Sequence, residues 1–129
     1  MPAVNLTRQT WLATTVRSAD GFLTRLVGLL ARRKLGAEEA LWLVPCRAVH
    51  TLGMRFPIDV LFLDSEGEVV FLLEGLRPWR LSPIILRGHG VLELRSGSIR
   101  KSGTRVGDRI EVATTGVATL NDLSEDSVA

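Results

Sequence analysis

The run Ile58-Asp59-Val60-Leu61-Phe62-Leu63, the turn Asp64-Ser65-Glu66-Gly67 and the return Glu68-Val69-Val70-Phe71-Leu72-Leu73 constrain this chain more than any other stretch. β-branched and aromatic residues dominate both arms, and Gly67 stands where a tight turn needs positive φ. An antiparallel hairpin is therefore expected. Both arms are apolar on both faces, whereas an antiparallel sheet ordinarily keeps one face wet. This hairpin must be covered twice, by another sheet on one side and by an amphipathic helix on the other. The fold class that follows is mainly β, with α+β at the margin: a single antiparallel β-barrel or β-sandwich domain with one main helix.

That helix is expected near residues 19–31. Ser18 can cap it, Asp20 suits its first turn, and Phe22, Leu23, Leu26, Val27 and Leu30 fall on one stripe. Trp11 to Val16 reads as a first strand, Ala40 to Val44 as a short buried one, and Val91 to Leu94 and Arg109 to Ala113 as later strands. Ile84 to Leu86 is a further short strand, and Ile99 to Lys101 a helical turn closed by Gly103. The domain is expected over residues 10–115, with an N-terminal extension over 1–9 and a disordered tail over 116–129, where the composition turns small and acidic.

A chain of 129 residues can bury a self-sufficient core. Cys46 is its one cysteine, so no disulfide forms within the chain and a reducing, cytoplasmic setting is expected. No basic-then-apolar leader opens the sequence, and no apolar run approaches the length of about 18 residues that a membrane span needs, so no membrane partner is expected. The net charge is only +2 but unevenly spread, with eight basic residues against two acidic ones between Arg77 and Arg109. Arginine suits bidentate recognition of phosphate or carboxylate, and it also makes ordinary solvated surface. Nucleic-acid contact through the arginine-rich 77–109 region would require those charges to share a face.

The chemistry concentrates between Cys46 and Asp64. Cys46, His50 and Met54 offer thiolate, imidazole and thioether, the donor set of a copper site. In extended chain, residues four apart are separated by about 13 Å, and Pro45, Gly53 and Pro57 oppose the continuous helix that would stack them. No metal and no cofactor is therefore expected, and a buried thiol, a satisfied histidine and a core methionine are the simpler reading. His50 is either a catalytic base, with Asp59 or Glu93 orienting it, or a loop residue donating to a backbone carbonyl. Asp59 shares its strand face with Leu61 and Leu63, so an ionised carboxylate there needs a cation or several donors. An arginine or a cluster of backbone N–H groups would make it structural, and His50 beside it in a cleft would make it functional. Trp79, between Arg77-Pro78 and Arg80, either stacks on a ligand or caps one end of the fold. Glu93 is either a solvent-facing strand residue or a buried acid.

His50-Thr51-x-x-Met54-x-Phe56-Pro57-Ile58-Asp59-Val60-x-Phe62-Leu63-Asp64-x-x-Gly67, then Pro78, Val91-Leu92-Glu93-Leu94-x-x-Gly97 and Gly107-Asp108, resembles the domain-of-unknown-function 192 family of small prokaryotic proteins. Arg17 and Gly28-Leu29-Leu30-x-Arg32 resemble its opening signature. The likeness covers about residues 10 to 113 and implies a compact, mainly β domain with one main helix and no established activity. Gly88-His89-Gly90 departs from the small residue usual before the Val-Leu-Glu motif and leaves the role of His89 open. The expected function is a small ligand-binding or accessory module for an unknown small or anionic ligand. Its site is expected where His50, Met54 and Asp59 approach Arg77, Trp79 and Arg80. A small hydrolase or transferase using His50 with Asp59 is the alternative.

Overall fold

The computed structural model describes residues 2–18, 38–52 and 54–113. The helix expected near 19–31 and the tail over 116–129 lie outside the described residues. The elements are β1 (Ala3–Asn5), β2 (Thr10–Ala13), β3 (Thr15–Ser18), β4 (Glu39–Leu43), β5 (Ile58–Leu63), β6 (Val69–Leu76), β7 (Gly90–Arg95), α1 (Ser98–Ser102) and β8 (Ile110–Val112). They form a three-stranded sheet, β2-β1-β8, and a five-stranded sheet, β3-β4-β7-β5-β6. Neither sheet closes into a barrel, so the fold is mainly β and sandwich-like.

The hairpin forms, but its cover is complete only over β5, because β6 is the edge of the sheet and most of it is half-buried. Asp64 Oδ1 accepts the Glu66 and Glu68 N–H groups at 2.9 Å each, and Gly67 takes φ 86° to turn the chain into β6. Every residue of β5 is buried. Leu61 and Leu63 face a core shared with Ala3, Leu12 and Ala13 of the small sheet, Ile99 of α1 and Ile110 of β8. Ile58, Val60 and Phe62 face the opposite way, into a second core that Val49 and Met54 close from a loop. The period-two alternation of one apolar strand thus feeds two separate cores.

Three expectations about strands and their pairing change. Trp11 to Val16 is two strands, because the chain passes from the small sheet to the large one at Thr14, where the Thr14 and Thr15 N–H groups both donate to the Glu38 carbonyl. Antiparallel pairing holds except between β3 and β4, which run parallel. The length of chain between them permits that arrangement, since parallel neighbours need a crossover of about a dozen residues or more. Ile84 to Leu86 is not a strand. Pro83 removes a donor, only Ile85 turns into the core, and Ile84 and Leu86 face solvent at 70% and 78% exposure.

The segment read as an extension supplies β1, the centre of the small sheet. Its buried Asn5 reaches Thr104 Oγ1 at 2.9 Å and Asp108 Oδ2 at 3.0 Å. The same carboxylate oxygen accepts the Arg8 Nε–H and the Arg105 N–H, each at 3.0 Å. Burial alone pushes the Asp108 carboxyl up, but the hydrogen bonds from Asn5, Arg8 and Arg105 and the Arg8 charge together hold it below its ordinary value of 3.8. A carboxyl depressed on folding contributes stability that is present above its unfolded pKa and lost as pH falls through its folded one. The stability gap between the wild-type chain and Asp108→Asn is therefore expected to be constant near neutrality and to close below about pH 4. Urea unfolding of both proteins across that range checks it, and a gap that widened with acid would contradict it.

Candidate functional site

Two irregular segments, the described residues of 46–57 and residues 77–89, run alongside each other at the edge of the second core. The Cys46 N–H donates to the His89 carbonyl, Ile85 N–H to Arg47, and Ser82 N–H to Val49. His50 and Leu81 pair as an isolated antiparallel bridge. Thr51 is the strut of this ribbon. Wholly buried, it donates its hydroxyl to the Arg77 carbonyl at 2.6 Å and accepts the Arg80 N–H at 2.9 Å. Its backbone N–H reaches the Arg80 carbonyl, and its own carbonyl accepts from Trp79 and Met54.

Held this way, Trp79 adopts φ 62° and presents its indole at 65% exposure. A bulky residue in the left-handed region costs about 1–2 kcal/mol and persists only where neighbours impose it. The backbone that carries Arg77, Trp79 and Arg80 thus runs beside the segment that carries His50. Arg77 and Arg80 are both exposed. Met54 instead lies in the core at 2% exposure.

Asp59 does not join them. Fully buried, it accepts the Gly75 N–H at 2.8 Å on Oδ1, and the Gly97 and Ile99 N–H groups at 3.1 and 2.9 Å on Oδ2. It ties together a kink in β6, the turn after β7 and the start of α1, which is the structural alternative posed by the sequence. Among the described residues no hydrogen bond joins it to His50. The histidine accepts the Leu52 N–H on Nδ1 at 3.3 Å, a contact that neither alternative posed by the sequence included, so a neutral ring carries its proton on Nε2.

Of the three metal candidates, Cys46 donates its thiol to the Ala48 carbonyl at 3.1 Å and packs against the second core, of which Met54 is a buried member, while His50 is engaged as described. Among the described residues no group of three His, Cys, Asp or Glu side chains could hold a metal ion. Glu93 is buried at 1% exposure, on the strand face that also carries Val91, and Leu41 and Val60 flank it in register. His89, with Pro45, Cys46, Arg47 and Gly88, lines an open depression of about 390 Å³ beside the ribbon.

Sequence reasoning missed the surface that surrounds Trp79. Leu52, Leu81, Ile84 and Leu86 are exposed with it, the last three at 70% or more. The two segments contribute Arg47, Arg55, Arg77, Arg80 and Arg87 and no acidic residue. The signal was present in Arg77-Pro78-Trp79-Arg80-Leu81-Ser82-Pro83-Ile84-Ile85-Leu86-Arg87, where large apolar residues alternate irregularly with arginine. The strand-like composition of Ile84 to Leu86 masks it.

Known proteins share both the sequence and the fold. A UPF0127 protein of Pyrococcus furiosus is 34% identical over 113 residues, 84% of this chain and 95% of the relative. One from Pyrococcus abyssi is 32% identical over 104 residues, 77% and 86% of the two chains. The crystal structure of a Novosphingobium aromaticivorans protein of unknown function superimposes with a TM-score of 0.74 at 22% identity, covering 87% of this chain and 84% of that one. A Sinorhizobium meliloti structure, provisionally described as a transcription regulator, gives 0.70 at 25% identity, covering 85% and 89%. The DUF192 profile, described as an uncharacterized ACR, matches residues 3–112, from β1 through β8, and the chain belongs to that family.

Proposed function

We propose that this chain is a binding or accessory module whose contact surface is the outer face of the 46–57 and 77–89 ribbon, and that its ligand is anionic. The observation that carries the reading is an outward-facing Trp79, in a backbone conformation imposed by Thr51, on two segments that hold five arginines and no acid of their own, Arg87 alone of the five lying 3.9 Å from a carboxylate, Glu68, among the described residues. Guanidinium groups beside an exposed indole offer charge and a flat apolar face together. Thermal shift with a panel of phosphates and carboxylates is expected to reveal a stabilising anion. Its affinity should fall at least about tenfold in Arg77→Ala/Arg80→Ala. Equal stabilisation of that variant would refute the assignment.

Catalysis by His50 with Asp59 is disfavoured, because the carboxylate is occupied by backbone donors and walled into the core. The description of the Sinorhizobium meliloti protein favours one second reading, nucleic-acid contact, for which Arg95, Arg100, Lys101, Arg105 and Arg109 are all exposed. That reading calls for duplex binding that weakens steeply with salt and with charge reversal at Arg100 and Arg105. The single cysteine supports a working place in the reducing cytoplasm.

A further inference from the structure

We infer that the ribbon docks on an anionic lipid bilayer, inserting Trp79, Leu81, Ile84 and Leu86 among the headgroups while the arginines around them hold the phosphates. The inference rests on the anion-binding reading and names the source of the anion. The expectation of no membrane partner came from the lack of a spanning stretch, and among the described residues no helix is long and apolar enough to cross a membrane. Docking at a surface needs no span.

Four large apolar side chains within eight residues stand 65–78% exposed, while Ile85 between them packs into the core. Side chains left in water at that density mark an interaction surface. Several occupants fit less well. A second copy joined by a two-fold axis would set the same arginines against each other with no acid in either segment to balance them. Single-stranded nucleic acid is held by aromatic platforms, and three of these four side chains are aliphatic. A lipid interface matches both halves of the pattern. Aliphatic groups enter the acyl boundary, tryptophan rests at headgroup depth, and arginine keeps its stem in the apolar layer and its charge on phosphate.

Cosedimentation of the full chain with vesicles tests it, using phosphatidylcholine alone and phosphatidylcholine with about one third phosphatidylglycerol. Binding is expected to the anionic vesicles alone and to fall with added salt. Ile84→Asp/Leu86→Asp and, separately, Arg77→Glu/Arg80→Glu are each expected to weaken it at least about tenfold. Trp11→Asp, at an equally exposed tryptophan of the small sheet, is expected to leave it unchanged. Circular dichroism and urea unfolding establish that each variant is folded. A chain that ignores anionic vesicles, or binds them equally well as the folded Ile84→Asp/Leu86→Asp variant, overturns the inference. Soluble glycerol phosphate separates the two levels. If it binds through Arg77 and Arg80 while vesicles do not, the lipid assignment falls and anion binding stands; if vesicles, glycerol phosphate and every other phosphate and carboxylate of the panel fail to bind, both fall. Capture of an acidic peptide or an oligonucleotide by the same residues, without vesicle binding, also overturns it.

Discussion

Asp59→Ala is expected to destabilise the chain by about 3–5 kcal/mol in urea unfolding, enough to unfold much of a marginally stable domain. The carboxylate is the common acceptor for N–H groups from three separate parts of the chain, Gly75 in β6, Gly97 after β7 and Ile99 in α1. Hydrogen bonds to a charged group contribute about 1.5–3 kcal/mol each, and a buried donor left without a partner costs about 1–3 kcal/mol. Truncation removes the bonds and orphans the donors together, although water entering the gap would recover part of the loss. Asp59→Asn keeps the shape and one good acceptor, so its effect should be roughly half as large. A loss below about 1 kcal/mol for the alanine variant would mean that these N–H groups find other partners at no cost. Such a result would also reopen Asp59 for chemistry.

The second large effect is expected at Gly67. Its φ of 86° costs an alanine about 1–2 kcal/mol, and a Cβ there would lie 2.6 Å from the Ile110 carbonyl oxygen. That oxygen is backbone and cannot swing aside, because the Ile110 N–H is bonded to the Gly67 carbonyl at 2.8 Å. Relief requires β8 to move off the hairpin, at a further cost of about 1–3 kcal/mol. Gly107 separates the two contributions, since it has a similar φ of 97° and nothing within 4 Å of a Cβ. Gly67→Ala should therefore exceed Gly107→Ala by the cost of the close approach alone. Equal losses would show that the turn yields without disturbing β8.

The parts of the fold that were legible in the sequence are those whose causes are local. The β5–β6 hairpin was readable because Asp64 and Gly67 define a turn within four residues and the arms carry their own apolar pattern. Ala3–Asn5 was not, because three residues show no period and the strand is defined by Ala13 on one side and Val112 on the other. Thr14 gave no sign of the passage between sheets, since its neighbours have the same β propensity whichever sheet they enter. At the site, Arg77, Trp79 and Arg80 stood out by composition. The buried role of Thr51 did not, because its partners lie 26 and 29 residues away in an irregular segment. Asp59 was correctly singled out as a carboxylate in need of donors, but their identity depends on how three distant backbones converge.

The first described strand pairs with the last, and the Ala113 N–H closes on the Pro2 carbonyl at 3.1 Å. During synthesis, Ala3–Asn5 must wait with one neighbour missing until Ile110–Val112 has left the ribosome, because among the described residues no earlier strand pairs on that side. Translation therefore delivers the small sheet last. A covalent joint between residues 2 and 113, with new termini opened elsewhere in an exposed loop, would convert that most distant pairing into a neighbouring one.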